Sequence, residues 1–105
     1  MVISEIRRTK LRYATSELIY SNGTRAIEHH NTDIVRFYPD GDITVTSGGY
    51  YSKTTKERIN DALGKIGHIV QRDFRWYYCP NGNESDKVPF YDGMVINGQT
   101  GQEVA

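Results

Sequence analysis

The chain has 105 residues, a length that fits one domain with its own hydrophobic core. Its 13 basic and 13 acidic side chains cancel, which argues against a surface that is wholly an electrostatic clamp for nucleic acid but allows a local basic patch. Its single cysteine, Cys79, cannot form an intramolecular disulfide within these residues, and no apolar run is long enough for a membrane span. We therefore expect one compact, cytoplasmic unit without a membrane association.

The first 12 residues predict a flexible basic arm. Arg7, Arg8, Lys10 and Arg12 occur there with little apolar periodicity, which is typical of a solvated terminus that leads into a first strand. We expect a single domain over residues 13–96, and a disordered tail over the polar and glycine-rich residues 97–105.

Two hairpins are predicted before residue 48. Asn22-Gly23 suits a two-residue type I′ turn, which would place Tyr20 opposite Arg25 and the core residue Leu18 opposite Ile27. His30-Asn31 is expected to form the corner that leads into the second hairpin.

The second hairpin turns at residues 39–41, Pro-Asp-Gly, a sequence typical of a three-residue loop closed by a glycine in the left-handed conformation. It pairs Phe37 with Ile43 and Val35 with Val45, and these four residues share its apolar face.

A single helix is predicted over about residues 55–66. Thr54 as N-cap and Glu57 three residues later have the spacing of a capping box. An apolar stripe follows at helical spacing, and Gly67 or Gly64 ends the helix. The stripe consists of Ile59, Ala62, Leu63 and Ile66.

Short strands then return over residues 68–79, with a polar break at Arg72-Asp73, and over residues 88–91 and 94–96. Several short strands with one interrupting helix predict an α+β fold. The expected architecture is an antiparallel β-sheet built from successive hairpins, with the helix packed on one face.

The junction between the second hairpin and the helix is the first candidate ligand site. A helix N-terminus presents free N–H groups, glycines allow a close approach of the backbone, and nearby cations and tyrosines could contact a phosphate and a base. The alternative is that the glycines shape a bulge and the threonines only cap the helix. The candidate residues are Gly48, Gly49, Tyr50, Lys53, Thr54, Lys56 and Arg58.

A second candidate is the basic and aromatic strand that contains Arg72, Arg75, Trp76 and Tyr77. Alternation exposes one set of these side chains, and exposed aromatic rings could stack on bases. The alternative is an aromatic core strand.

We expect no catalytic residues, no metal and no cofactor. His29 and His30, with Asn31 and Asp33, suggest a metal site or a nuclease of the H-N-H type at first sight. Adjacent strand residues point to opposite faces, however, so the two histidines are not expected to share one ion. Because no nucleophile stands beside a base, the protein is not expected to be an enzyme.

Several segments resemble a family of small uncharacterised proteins encoded in bacteriophage genomes. These segments are residues 29–43 (His-His-Asn to Asp-Ile), 47–50 (Ser-Gly-Gly-Tyr), 54–60, 76–77 and 88–94. The resemblance covers about residues 22–96 and implies a phage origin, and thus the cytoplasm of an infected bacterial host.

Together these observations favour a small non-enzymatic phage accessory protein that binds a phosphate-bearing ligand, either nucleic acid or a nucleotide, at the glycine-to-helix edge. The alternative is a protein–protein interaction module that inhibits or recruits a host factor, for example a host defence component. Self-association through an open sheet edge is compatible with both functions.

Overall fold

A computed structural model describes residues 2–104 and shows an α+β fold, as the sequence predicts. Its one α-helix interrupts a series of antiparallel strands. The elements are β1 (Glu5–Arg12), β2 (Thr15–Tyr20), β3 (Arg25–His29), β4 (Thr32–Phe37), β5 (Asp42–Val45), α1 (Lys53–Leu63), β6 (Gly67–Arg72), β7 (Arg75–Pro80), β8 (Val88–Pro89) and β9 (Met94–Asn97).

The strands form two sheets, and α1 contacts both of them. The larger sheet has the order β1-β2-β3-β4-β5-β9 and the smaller has the order β6-β7-β8. The helix packs on β3 and β4 of the first sheet and on β6 of the second. Its buried residues Ile59 and Leu63 join one continuous core with Val35, Ile69 and Tyr78. Burying each such aliphatic side chain stabilises the fold by about 1.5–3 kcal/mol.

The described residues contain no helix with the length and apolar character that crossing a membrane requires.

The two early hairpins use the same kind of turn, which confirms one prediction and corrects the other. Gly41 has a φ of +97°, and the pairs Phe37 with Ile43 and Val35 with Val45 are present as predicted. In the first hairpin Gly23 has a φ of +91° while Asn22 keeps a negative φ, so the loop has three residues rather than two.

The additional loop residue moves the register of the first hairpin by one position. Leu18 lies opposite Ala26 and Glu17 lies opposite Ile27, so the predicted pairing of Leu18 with Ile27 is wrong. A shift of one residue exchanges the faces of a strand. Leu18 and Ile27 therefore lie on opposite faces of the sheet, and both are buried.

The helix begins earlier and ends earlier than predicted. Ser52, rather than Thr54, is the N-cap, and its Oγ accepts a hydrogen bond from the Thr55 N–H at 3.1 Å. Gly64 follows the last helical residue with a positive φ, so it ends the helix and Gly67 does not. Thr54 lies within the first turn, where its hydroxyl does not cap.

Asn60 joins the helix to the edge of the smaller sheet. Its amide Nδ2 donates to the Ile69 carbonyl at 3.0 Å, and its Oδ1 accepts from the Ile69 N–H at 2.6 Å. The side chain thus replaces a neighbouring strand for that residue, and it fixes α1 relative to β6.

Both chain ends are more ordered than the sequence suggests. Residues 5–12, expected to belong to a flexible arm, form the edge strand β1, whose eight residues are all exposed and which pairs with β2. Residues 98–104, expected to be disordered, turn back so that Val104 bonds to Val95 and Gly101 accepts a bond from the buried Tyr78 hydroxyl at 2.7 Å. Residues 1 and 105 of the predicted arm and tail lie outside the described residues.

Candidate functional site

A cavity of about 610 Å³ lies where the start of α1 meets the β1–β2 turn, the β3–β4 turn and the segment that follows β5. We call it the α1 cavity. Its size is in the range of cavities that hold small-molecule ligands, about 300–1,000 Å³. The lining residues come from three separate parts of the chain: Tyr13, His29, His30, Asn31, Thr32, Ser47, Tyr50, Ser52, Thr54, Thr55 and Arg58.

The first turn of α1 supplies hydrogen-bond donors to this cavity. Ser52 accepts from the Thr55 N–H with its side chain and from the Lys56 N–H with its carbonyl. The N–H groups of Lys53 and Thr54 take part in no hydrogen bond among the described residues. These two amides carry the positive end of the helix dipole, which favours an anion.

Arg58 brings a largely buried cation to the same cavity. Only 17% of its side chain is exposed, and its Nε is buried without a hydrogen-bond partner among residues 2–104. Its Nη1 lies 3.7 Å from Asp61 Oδ2, which is also 3.5 Å from Arg12 Nη1. An N–H buried without a partner costs about 1–3 kcal/mol, a cost that a bound oxyanion would remove.

His29 lines the cavity from the buried side and is held by Thr15. The Thr15 hydroxyl donates to the Tyr13 carbonyl at 3.0 Å, and its oxygen lies 3.0 Å from His29 Nδ1. The hydroxyl has only one proton, which it donates to Tyr13. Nδ1 of the neutral His29 ring must therefore carry a proton and donate it to the Thr15 oxygen. Burial, followed by the positive charges of His30 and Arg58, lowers the pKa of His29, and the neutral form is therefore favoured.

The two histidines lie on the same side, contrary to the prediction from strand alternation. His30 has left the strand and lies in a turn with a φ of +49°, followed by Asn31 at +67°. The turn brings the ring of His30 to 4.4 Å from that of His29, centroid to centroid, and both rings line the cavity. The described residues contain no group of three or more metal-ligating side chains.

Two tyrosines flank the opening of the cavity. Tyr13 is 82% exposed and Tyr50 is 68% exposed, although both line it. The ring of Tyr13 meets that of His30 edge to face, with centroids 6.2 Å apart. Exposed aromatic faces beside buried donors are suited to a ligand with both a flat ring and an anionic group.

Three of the seven residues predicted for the first ligand site line the cavity: Tyr50, Thr54 and Arg58. Lys53 and Lys56 do not. Lys53 is 85% exposed and lies 4.0 Å from Glu57. The helix therefore directs one of the three predicted cations into the cavity and leaves the two lysines outside it.

The two glycines have a conformational role. The N–H of Gly48 donates to Thr46 Oγ1 and that of Gly49 donates to Ser47 Oγ, so neither amide is free for a phosphate. Gly48 has a φ of +67°, and a Cβ there would lie 2.9 Å from Thr32. The alternative reading of this segment, in which the glycines shape the backbone, accounts for both residues.

The second predicted site is divided between core and surface. Trp76 is buried and Tyr77 is half-buried beneath the Lys87 ammonium, 5.6 Å from the ring centroid. Arg72 donates two hydrogen bonds to Glu84, at 2.8 and 2.6 Å. Arg75, the other cation of the four predicted residues, is exposed and forms no ion pair with the described residues.

Sequence reasoning did not assign eight of the eleven residues that line the cavity: Tyr13, His29, His30, Asn31, Thr32, Ser47, Ser52 and Thr55. The predicted corner at His30-Asn31 was the one available signal. The backbone is left-handed at His30 and Asn31, so the side chains there do not alternate between the two faces as they would in a strand.

A family model described as Kyanoviridae Gp96 protein matches residues 2–97, a range that includes every residue lining the α1 cavity. No curated protein and no solved structure matches the chain.

Proposed function

The chain belongs to the Kyanoviridae Gp96 protein family, a family of phage proteins, and on that premise we propose that it is a small accessory protein that binds a phosphate-bearing ligand, a nucleotide or nucleic acid, in the α1 cavity. The proposed activity is binding, without chemical conversion of the ligand. The observation that carries the proposal is Arg58, a largely buried cation with an unpartnered Nε, which lines the cavity together with Thr54, whose backbone amide is free.

The donors and the cation support an anionic group at the base of the cavity. A phosphate there would accept from the backbone amide and the hydroxyl of Thr54, and Arg58 would neutralise its charge. Hydrogen bonds to charged groups contribute about 1.5–3 kcal/mol each. Asp61 Oδ2 lies 3.7 Å from Nη1 of this guanidinium, and Nε has no hydrogen-bond partner among the described residues.

The opening of the cavity supports a flat ring on the other part of the ligand. Tyr13 and Tyr50 are exposed there, and stacking of one base on one aromatic ring contributes about 1–3 kcal/mol. A volume of about 610 Å³ suits one nucleotide unit, either free or at the end of a strand.

The experiment is a titration of the protein with fluorescent mononucleotides, a short single strand and a duplex at low salt, followed by the same titration at increasing salt. At least one of these ligands is expected to bind, with an affinity that falls as salt increases. If none binds at low salt, the proposal is wrong.

Arg58→Gln and Lys53→Gln make a matched pair for this titration. Each removes one positive charge from α1, but only Arg58 lines the cavity. Arg58→Gln is expected to weaken binding by roughly ten- to a hundredfold, and Lys53→Gln by less than about threefold. Equal losses in the two variants would mean that the ligand responds only to the general charge of the helix. Thermal unfolding of both variants controls for loss of the fold.

A further inference from the structure

The strand β1 is the one sheet edge that the described part of the chain leaves open along its full length. The other edge of the larger sheet, β9, is covered by the chain end, where the Val104 N–H donates to the Val95 carbonyl at 2.8 Å. In the smaller sheet, Asn60 occupies the N–H and C=O of Ile69 on β6. The last edge, β8, has only two residues, and one of them is Pro89, which has no N–H. β1 pairs with β2 on one side, and no backbone hydrogen bond among the described residues reaches its other side.

The side chains of β1 are as open as its backbone. All eight of its residues are exposed, and among them Ile6 is 66% exposed and Leu11 is 51% exposed. Both aliphatic residues lie where the pairing with β2 shifts register, and residues 7–10 between them pair regularly. The edge therefore presents a regular stretch of unpaired backbone with an apolar side chain at each end, a template on which another strand can pair.

The charges of β1 are mostly positive. The strand has four basic residues and one acidic residue, an excess of three positive charges in a chain whose net charge is zero. The Arg8 guanidinium donates to the carboxylates of both Glu5 and Glu28. Arg7 and Lys10 form no ion pair among the described residues. They are three positions apart in the regular stretch, so their side chains lie on opposite faces of the strand.

A second copy of the chain complements this edge poorly. An antiparallel pair of β1 strands centred on the middle of the strand places Arg7 opposite Lys10 twice, and like charges that face each other destabilise a sheet. A nucleic acid matches the charge, but it has no peptide backbone for the ladder and no aliphatic side chains for Ile6 and Leu11. An extended peptide with acidic side chains satisfies the backbone, the cations and the apolar ends together.

We propose that β1 binds an acidic, extended segment of a partner protein, which adds a seventh strand to the larger sheet. The segment has two acidic residues three positions apart, which face Arg7 and Lys10, and an apolar residue just outside each of them, which contacts Ile6 or Leu11. Its main chain pairs with residues 7–10 and supplies affinity, while its acidic side chains distinguish it from other extended chains. The site does not depend on the phosphate-binding function proposed for the α1 cavity, because none of residues 5–12 lines that cavity.

The probe is a blocked, fluorescein-labelled peptide of the sequence Thr-Val-Glu-Thr-Thr-Glu-Val-Thr, titrated into the full-length protein and followed by fluorescence anisotropy. It is expected to bind at low salt, and more weakly as the salt concentration rises. Two matched peptides separate the contributions. One has glutamine in place of both glutamates, and the other keeps the glutamates but has N-methyl groups on its four central amides, which prevents strand pairing. Both are expected to bind at least about tenfold more weakly.

Two double variants test the cations. Arg7→Gln with Lys10→Gln removes the two cations that face the glutamates, whereas Lys53→Gln with Lys65→Gln removes two exposed cations at the ends of α1. The first is expected to weaken the acidic peptide by roughly three- to tenfold, and the second by less than about twofold. All four side chains are exposed, so neither variant endangers the fold, and thermal unfolding checks this.

The proposal is overturned if the acidic peptide does not bind at low salt up to millimolar concentration, or if its N-methylated form binds equally well, since charge attraction without strand pairing would then account for binding. It is also overturned if the two double variants weaken the peptide equally.

The other possible occupants of the edge have their own measurements. Oligothymidylate is expected to leave the labelled peptide bound, and the proposal is wrong if it displaces the peptide as effectively as unlabelled peptide does. A dimer that Arg7→Gln with Lys10→Gln strengthens in analytical ultracentrifugation would assign the edge to a second copy instead. The nucleotide titrations report on the α1 cavity, so failure at one site is distinguishable from failure at the other.

Discussion

Replacing Phe74 with glycine is expected to stabilise the protein. The residue lies in the left-handed conformation at the tip of a tight turn, with its ring in solvent. Phe74→Gly creates the Asp-Gly pair that this turn prefers. Most substitutions destabilise a protein, so a gain in stability here would identify a residue that is retained for another reason.

The magnitude follows from three contributions. The left-handed conformation costs an L-residue about 1–2 kcal/mol, which glycine does not pay. Against this, glycine destabilises the folded state by about 0.5–1 kcal/mol, because it loses more conformational entropy on folding than other residues do. At 96% exposure the ring contributes almost no buried area. The net gain is therefore about 0.5–1 kcal/mol, which raises the Tm by roughly 2–6 °C in a domain of this size.

The assay is urea and thermal unfolding of the wild type, Phe74→Gly and Phe74→Ala. Alanine removes the ring but keeps the Cβ that causes the strain, so Phe74→Ala is expected to unfold within about 0.5 kcal/mol of the wild type. The difference between the two variants isolates the backbone contribution. If Phe74→Gly is no more stable than Phe74→Ala, the left-handed backbone at Phe74 does not destabilise the wild type, which refutes the prediction.

Two further predictions concern the elements that position the α1 cavity. Asn60→Ala is expected to cost about 2–4 kcal/mol in urea unfolding, because it leaves both the N–H and the C=O of the buried Ile69 without their partner; a cost below about 1 kcal/mol would mean that water replaces the side chain. The lowered pKa of His29 means that the folded state takes up its proton less readily than the unfolded state, whose histidine pKa is about 6.5. Its contribution to stability is thus present above about pH 6.5 and is lost as the pH falls through the lower folded pKa. The free energy of unfolding should decrease from about pH 7 to pH 5 in the wild type, and a His29→Gln variant that shows the same slope would contradict this assignment.

Local signals in the sequence were sufficient for much of the fold. The Pro-Asp-Gly turn sets the register of β4 and β5, because a turn of that type determines which residues face each other. The stripe that contains Ile59 and Leu63 correctly predicts the buried face of α1. The prediction for the first hairpin was wrong because Asn22-Gly23 is compatible with both a two-residue and a three-residue loop. The dipeptide alone does not determine which loop forms.

The lining of the α1 cavity was predictable only in part. Tyr50, Thr54 and Arg58 were assigned from the residues around the helix start, since all three lie within nine residues of one another. Ser52 and Thr54 are both suitable N-cap residues in the sequence, and in the structure Ser52 caps the helix. Tyr13 and His30 also line the cavity, and they lie 37 and 20 residues before Tyr50 in the chain.

By itself, the sequence determined the α+β class, the hairpin at residues 39–41, the existence of one amphipathic helix and the resemblance to phage proteins. These properties depend on side-chain periodicity and turn chemistry over a few neighbouring residues. The tertiary structure alone decided that one of three cations near the helix start faces a cavity, that both histidines join it, and that Phe74 stands exposed at the tip of a turn. Each of these outcomes depends on the packing of segments that are distant in the chain, and no local pattern specifies that packing.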